Sequence, residues 1–181
     1  MKALKAGRGL ELRALRQADA RPLFALVEAD RVRLRRWLPW VELTRELEDT
    51  RRFLLRARTQ ARAGTGATFG LWWKAQLIGV AGFTWIDGSN RSAAIGYWLT
   101  SEAEGRGLMT AAVAALLAHG FGRLGLHRIE IRAGVRNRRS RAIPERLGFR
   151  REGILRHAEW VSGRWVDHAV YGLLATEWRG R

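Results

Sequence analysis

A chain of 181 residues, 47 % of them hydrophobic, is long enough to bury a core, so the sequence predicts one domain over residues 1–181 and excludes a disordered protein. The absence of cysteine excludes disulfides, thiolate nucleophiles and cysteine-based zinc sites, and because the four histidines have no ligand spacing, no metal is expected. The formal charge of +16 favours anionic partners of any kind, or reflects genome composition or adaptation to heat.

The first third of the chain is predicted to form a strand and two helices. Residues 1–16 lack the apolar run of a signal peptide, and no uncharged span of about 18 residues would cross a membrane, so a cytoplasmic protein is expected. Alternation over residues 10–15 predicts a strand, and Asp19 is a suitable N-cap for a helix after it. A short helix or loop surrounds Pro39, and a second, amphipathic helix is expected from Thr44.

The middle third is predicted to be an antiparallel meander followed by a buried helix. Three strands are expected there, at residues 68–74, 77–86 and 93–99. A tight turn is expected at Ala75 and Gln76, between the first two strands. Residues 108–124 carry almost no charge, which predicts a helix that is buried on most of its surface.

The last third is predicted to form a strand over residues 127–135, a short helix over 137–147 and a hairpin over 149–174. The element order is β-α-α-β-β-β-α-β-α-β-β, without internal repeats or a domain linker. This order predicts an α+β fold with a central mixed, twisted sheet of about seven strands and helices on both faces. Pro144 falls within the short helix and, unless it lies in the first turn, removes a hydrogen bond there.

The segment EGRG, residues 104–107, stands at the start of the apolar helix. The first N–H groups of a helix have no partner within the helix and carry a partial positive charge, so they attract anions. Gly105 and Gly107 would let a phosphate approach the backbone, and Arg106 adds a guanidinium. The segment is neither a Walker A loop nor a dinucleotide fingerprint. On the two glycines alone, an ordinary turn before a helix is the simpler interpretation.

Two longer stretches resemble the GCN5-related N-acetyltransferase (GNAT) superfamily, in its RimJ/RimL-type branch of ribosomal-protein N-terminal acetyltransferases. They are IGYWLTSEAEGRGLMTAA and LGLHRIEIRAGVRNRRSRAIPERLGFRREGILR. The likeness extends over nearly the whole chain, from LRALRQADA to HAVYGLLATEW. It implies the GNAT fold and an enzyme that transfers the acetyl group of acetyl-CoA to a primary amine.

The resemblance also implies which residues bind acetyl-CoA. The family signature Gln/Arg-x-x-Gly-x-Gly/Ala falls on residues 104–109, with Glu104 in the basic or amide slot. The strand before it is expected to splay from its parallel neighbour and to pair with the pantetheine arm through its backbone. The cofactor-binding residues implied are Trp98, Leu99, Thr100, Gly105, Arg106, Gly107, Leu108, Met109, Thr110, Asn137 and Ser140. Without the resemblance, Asn137 or Ser140 is an N-cap and Trp98 and Leu99 are core residues.

Catalytic roles are implied for Glu159 and Ser140. An amine must lose its proton before it can attack, and the resemblance assigns the general base to Glu159 in the terminal hairpin. It assigns to Ser140 a hydrogen bond to the departing thiolate, and the amide near Leu99 would stabilise the oxyanion. His157 is an alternative base, because strand alternation places it on the same face as Glu159. Without cysteine, direct transfer is favoured over an acyl-enzyme.

The acceptor is expected between residues 36–41 and the terminal hairpin, by the same resemblance. A cluster of arginines and tryptophans lies in these segments: Arg35, Arg36, Trp37, Trp40, Trp160, Arg164 and Trp165. Such a cluster suits an acidic protein N-terminus, such as that of a ribosomal protein. A small amine is the second hypothesis, and a non-catalytic nucleic-acid-binding module is the third, although no specific nucleic-acid signature is present. Most of the tryptophans would otherwise fill the core or the interface of a homodimer.

Overall fold

One mixed sheet of eight strands forms the centre of the computed structural model, which describes residues 3–7 and 9–180. The strands are β1 (Leu4–Lys5), β2 (Leu10–Ala14), β3 (Ala67–Trp73), β4 (Gln76–Asp87), β5 (Ser92–Leu99), β6 (Arg128–Gly134), β7 (Arg150–Val161) and β8 (Arg164–Leu174). The helices are α1 (Ala20–Ala29), α2 (Arg31–Leu34), α3 (Leu47–Ala63), α4 (Leu108–Ala118) and α5 (Arg138–Arg146). The short β1 and α2 are additions to the expected order.

The strand order across the sheet is β1-β2-β3-β4-β5-β6-β8-β7. All neighbours are antiparallel except β5 and β6, which run parallel because the chain crosses between them through α4. The expected meander and terminal hairpin are therefore present, and the sheet is mixed as predicted. No helix among the described residues is both long enough and apolar enough to span a membrane.

The helices cover both faces of the sheet, as the fold class predicted. Neighbouring residues of β4 show this division, because successive side chains of a strand point to opposite faces. Leu77 packs in the cluster that contains Leu23 of α1 and Leu54 of α3. Ile78 packs in the larger cluster that contains Leu116 of α4 and Ile143 of α5.

Two predicted boundaries are displaced by local hydrogen bonds. Helix α3 begins at Leu47 rather than Thr44, because the Thr44 hydroxyl donates to the Trp40 carbonyl at 3.1 Å and closes the preceding turn. The tight turn after β3 is formed by Lys74 and Ala75, one residue earlier than expected. Both have positive φ, 49° and 63°, as in a type I′ hairpin turn.

The predicted helix over residues 108–124 changes its winding before it ends. Helix α4 stops at Ala118, and residues 119–123 continue as a π-helical turn. Gly120 lies in that turn, where a Cβ atom would come within 2.8 Å of the Ile129 side chain. Glycine, which is a poor helix former, thus lets the turn approach β6 closely at the point where the regular helix ends.

Candidate functional site

Strands β5 and β6 diverge after a short parallel contact. They pair only between residues 92–94 of β5 and 128–130 of β6. Beyond that point, β6 continues to pair with β8 as far as Gly134, whereas residues 95–99 of β5 have no partner on that side. We call the wedge-shaped opening between residues 95–99 and 131–134 the splay. It lies where the resemblance implied it.

Leu99 presents its backbone to the splay, whereas its neighbours bond to β4. The Thr100 amide donates to the Ile78 carbonyl at 2.8 Å, so it is not free for a ligand, contrary to expectation. Because hydrogen-bonded residues alternate along an antiparallel pair, Trp98 also bonds to β4 and Leu99 faces away from it. The Trp98 ring packs against Trp40, with ring centroids 6.0 Å apart, so its role as a core residue holds.

Gly105 and Gly107 shape the start of α4. Both have φ of 74°, in the left-handed region that favours glycine, and Gly107 is the N-cap. The first helical bond runs from the Ala111 amide to the Gly107 carbonyl, at 3.0 Å. The N–H groups of residues 108–110 therefore precede the bonded part of the helix. A Cβ atom at Gly105 would meet nothing within 4 Å, so this backbone is open to an approaching ligand.

The side chains at the start of α4 face the protein interior. Leu108 and Met109 are 2 % and 6 % exposed and belong to the main core. Any contact they make with a ligand would therefore be through their amides, which accounts for a methionine in a slot that usually holds a small residue. The Arg106 guanidinium lies over the Trp73 ring, 5.4 Å from its centroid. We call the backbone of residues 105–110 the cradle.

Glu104 fills the basic slot of the signature and is neutralised by two arginines. Its carboxylate pairs with Arg33 of α2 at 2.6 Å and with Arg139 of α5. The Arg139 side chain is 84 % exposed, so its guanidinium stands at the surface beside the cradle. Arg33 also donates to the Leu99 carbonyl at the end of β5. Glu104 therefore holds two guanidinium groups near the cradle, and these pairs compensate its own negative charge.

Asp30 ties the segment before the cradle to α2. Its carboxylate accepts hydrogen bonds from the amide and hydroxyl of Ser101, at 2.6 and 2.9 Å, and from Arg33 at 2.9 Å. Burial raises the pKa of Asp30, but the hydrogen bonds from Arg33 and Ser101 outweigh it and hold the pKa below its ordinary value. The ionised form is therefore the one that the fold stabilises.

Replacing Asp30 by Asn should destabilise the protein in a pH-dependent way. A carboxyl whose pKa is lowered by folding contributes stability above its unfolded pKa, ordinarily 3.8, and loses that contribution as the pH falls through its folded value. We expect Asp30→Asn to lower the free energy of unfolding by about 1 to 2 kcal/mol at pH 7 and by less at pH 3. Urea unfolding at both pH values measures this. The control Glu48→Gln, which removes an exposed ion pair, should change it by less than about 0.5 kcal/mol.

Asn137 and Ser140 lie together in the first turn of α5. Asn137 is the N-cap, and its Oδ1 accepts a hydrogen bond from the Ser140 amide at 3.1 Å, so the capping interpretation is confirmed for Asn137. The Ser140 hydroxyl lies 3.4 Å from the hydroxyl of Tyr97, in the unpaired part of β5. A contact between β5 and the helix that follows β6 thus forms at Ser140. Tyr97 was not predicted as a site residue, although it stands in the stretch that carries the resemblance.

Glu159 points towards the end of β6. It lies opposite Val166 of β8, and its Oε2 is 3.4 Å from Nε2 of His168. His168 is in turn opposite Gly134, the last residue of β6, whose carbonyl accepts from the Asn137 amide at 2.8 Å. The sheet register therefore brings the Glu159 carboxylate to the end of the splay where α5 begins. His168 is a further neighbour that the sequence analysis did not identify.

His157 lies on the other face of the hairpin from Glu159. Its ring stacks on Trp165, with centroids 6.1 Å apart and planes 13° from parallel, whereas Glu159 contacts His168. Trp165 and His168 are three residues apart on β8 and point to opposite faces. The expectation that both candidate bases share a face is wrong, because the register shifts between residues 155 and 159 and His157 has φ of 49°.

The terminal hairpin contacts the chain just before residues 36–41, the other segment expected to surround the acceptor. The Ser162 hydroxyl at the hairpin tip donates to the Arg35 carbonyl at 2.8 Å. Trp37 covers the end of β6, since a Cβ atom at Gly134 would lie 3.3 Å from its ring. Trp160 and Trp165 remain about half exposed and meet edge to face, so they are not core residues.

Known proteins that are similar in sequence to this chain are acetyltransferases. The family described as "Acetyltransferase (GNAT) domain" matches residues 9–150. The putative ribosomal N-acetyltransferase YdaF of Bacillus subtilis (strain 168) is 36% identical over 177 residues, which is 97% of each chain. The ribosomal-protein-serine acetyltransferase of Escherichia coli (strain K12) is 31% identical over 168 residues, 93% of this chain and 94% of its own.

A solved structure agrees with these sequence relatives. RimL, a ribosomal L7/L12 alpha-N-protein acetyltransferase, in complex with coenzyme A, superposes with a TM-score of 0.93 at 28% identity. The match covers 96% of this chain and 98% of that chain, so it includes the sheet, the splay and the helix after the cradle. The chain belongs to the GNAT family of acetyltransferases, in its RimJ/RimL-type branch.

Proposed function

We propose that this acetyltransferase moves the acetyl group of acetyl-CoA to the N-terminal α-amine of an acidic ribosomal protein in the cytoplasm. The observation that carries the proposal is that the splay leads to the open cradle, because together they match the pantetheine arm and the diphosphate of coenzyme A. A pantetheine arm needs an unpaired strand edge, and a diphosphate needs unpaired amides. The family and the relatives described above support the same chemistry.

The residues present fit coenzyme A. The amides of residues 105–110 would hold the diphosphate, with Arg139 close by to add positive charge. The Leu99 amide faces the splay and would pair with the pantetheine arm. Asn137 uses its Oδ1 for the helix cap, which leaves its Nδ2 group to donate to the same arm. Bound in this way, acetyl-CoA supplies an activated acyl group at the end of the splay.

Each step of the transfer has a group in this chain to assist it. Glu159 takes the proton of the attacking amine, directly or through one water, and His168 holds the carboxylate at the end of β6. The new N–C bond forms as the C–S bond breaks, and another amide near Leu99 that faces the splay stabilises negative charge on the carbonyl oxygen. The Ser140 hydroxyl donates a hydrogen bond to the sulfur as it leaves.

An acidic acceptor is favoured by the charges around the splay. Arg35 and Arg36 come from the segment after α2, and Arg164 from the hairpin that contacts it. The whole chain carries a formal charge of +16, so an acidic protein would also be steered towards it. The names of the two sequence relatives likewise point to ribosomal proteins.

Two peptides that share their first residue test the acceptor. One continues with acidic residues and the other with lysines, and acetylation is followed by mass spectrometry. We expect kcat/KM to be at least about tenfold higher for the acidic peptide and to fall as salt is added, because the attraction is screened. Arg164→Glu should reduce that preference, whereas Arg62→Glu, at the far end of α3, should not. Faster transfer to polyamines than to the acidic peptide would reject the protein acceptor in favour of a small amine.

The edge strand β7 offers a surface for the homodimer that we include in the proposal. It is the last strand of the sheet, so its outer backbone has no strand beside it among the described residues. Ile154 and Leu155 are 49 % and 41 % exposed on this strand. Light scattering at several protein concentrations tests the homodimer. A molar mass equal to that of one chain at every concentration would exclude it.

A further inference from the structure

Pro144 leaves one backbone carbonyl of α5 without its usual helical hydrogen bond. In a regular helix the Ser140 carbonyl would accept from the amide four residues later, but Pro144 stands there and has no N–H. Asn137 caps the helix, so Pro144 lies beyond the first turn, where a proline removes a helical hydrogen bond. The regular bonds on either side are present, from Arg141 to Asn137 at 3.0 Å and from Leu147 to Ile143 at 3.2 Å. The interruption therefore falls on Ser140 itself.

Tyr97 supplies the donor that Pro144 lacks. Its hydroxyl reaches across the splay and donates to the Ser140 carbonyl at 3.0 Å. A tyrosine hydroxyl has one proton, so with that proton on the carbonyl its oxygen can only accept. The group that lies within reach is the Ser140 hydroxyl, 3.4 Å away. Tyr97 thus holds Ser140 at both its backbone and its side chain.

We propose that Tyr97 is a positioning residue, which keeps the Ser140 hydroxyl in the splay, ready to donate to the sulfur of coenzyme A. The proposal rests on the proposed function, because it needs coenzyme A in the splay. At 3.4 Å the hydrogen bond to Tyr97 is long, so Ser140 can turn its proton to a thiolate, which is a stronger acceptor. Burial raises the pKa of Tyr97, which keeps its hydroxyl protonated and able to donate to the Ser140 carbonyl.

Binding of coenzyme A and of desulfo-coenzyme A, compared by calorimetry at pH 9, tests this without any acceptor. The share of thiolate is larger at pH 9 than at neutral pH, so the wild-type protein should prefer coenzyme A. We expect Tyr97→Phe to reduce the preference by about fivefold, the size of one hydrogen bond. Ser140→Ala should reduce it by at least as much. The double variant should match Ser140→Ala, because Tyr97 acts through Ser140.

Two further variants keep the test decisive if Tyr97→Phe folds poorly. Pro144→Ala restores an N–H that competes for the Ser140 carbonyl, so it should reduce the preference for coenzyme A without lowering the melting temperature. Tyr171→Phe is the matched control, because its hydroxyl is bonded to Arg141 and Glu145 of the same helix and does not contact Ser140. It should cost stability and leave the preference unchanged.

The outcomes separate this inference from the proposed function. Wild-type protein that binds neither ligand would overturn both. The positioning role alone would be overturned if the wild-type protein prefers coenzyme A and the folded variants Tyr97→Phe and Pro144→Ala keep that preference. Additive losses in the double variant would do the same, since they would mean that Tyr97 acts independently of Ser140.

Discussion

Glu159→Gln is expected to lower kcat for acetyl transfer by about 10²- to 10³-fold, the usual loss when a general base is removed. The amide is nearly the same size as the carboxylate but cannot take the proton of the attacking amine. Calorimetry should give an unchanged affinity for acetyl-CoA, because Glu159 lies at the acceptor end of the splay and not at the cradle. Steady-state kinetics with an excess of acceptor measures the change.

Glu152→Gln is the matched control for this experiment. Glu152 lies on the same strand but pairs with Arg128, which holds the pKa of Glu152 below its ordinary value. Its substitution should cost stability and leave kcat within about twofold. If Glu159→Gln kept most of its activity, the base would have to be sought elsewhere. His157 could then be tested next, although it lies on the opposite face of the hairpin.

Gly105→Ala should weaken the binding of acetyl-CoA by about tenfold or more, the second large effect that we expect. Gly105 has φ of 74°, where a side chain is strained, and an added Cβ would occupy the open space next to the cradle. The strain would turn the amides away from a bound diphosphate, and the Cβ atom would obstruct its approach. Calorimetry with acetyl-CoA measures the dissociation constant directly.

Gly64→Ala provides the control for backbone strain. Gly64 ends α3 with φ of 71°, and a Cβ atom there also meets nothing within 4 Å. The two substitutions should therefore cost similar stability, roughly 1 kcal/mol each. Equal affinities for acetyl-CoA in the two variants would mean that Gly105 serves only the turn, the simpler interpretation of EGRG.

Local patterns in the sequence were sufficient for most of the architecture. The uncharged run after Gly107 correctly placed the start of the buried helix, because burial of an apolar surface is a local signal. The terminal hairpin was located by its turn signal, and the turn falls at Ser162 and Gly163, between β7 and β8. The exact starts of elements depended on single hydrogen bonds, such as the one from Thr44 to Trp40, which the hydrophobic pattern does not encode.

Contacts between distant segments could not be predicted in this way. Glu104 appeared to depart from the signature, but its partner Arg33 lies 71 residues earlier in the chain. Tyr97 and Ser140 are 43 residues apart and meet only because β5 and β6 diverge. Strict alternation also failed at His157, where an irregular register turned the side chain to the other face. Each of these facts depends on tertiary structure rather than on local preference.

A crystal structure of the protein with coenzyme A would show where the nucleotide binds. We expect the diphosphate to accept hydrogen bonds from the amides of residues 105–110, and the pantetheine arm to run along the splay past Leu99 towards Ser140. A nucleotide bound anywhere else, with the cradle occupied only by solvent, would contradict this expectation.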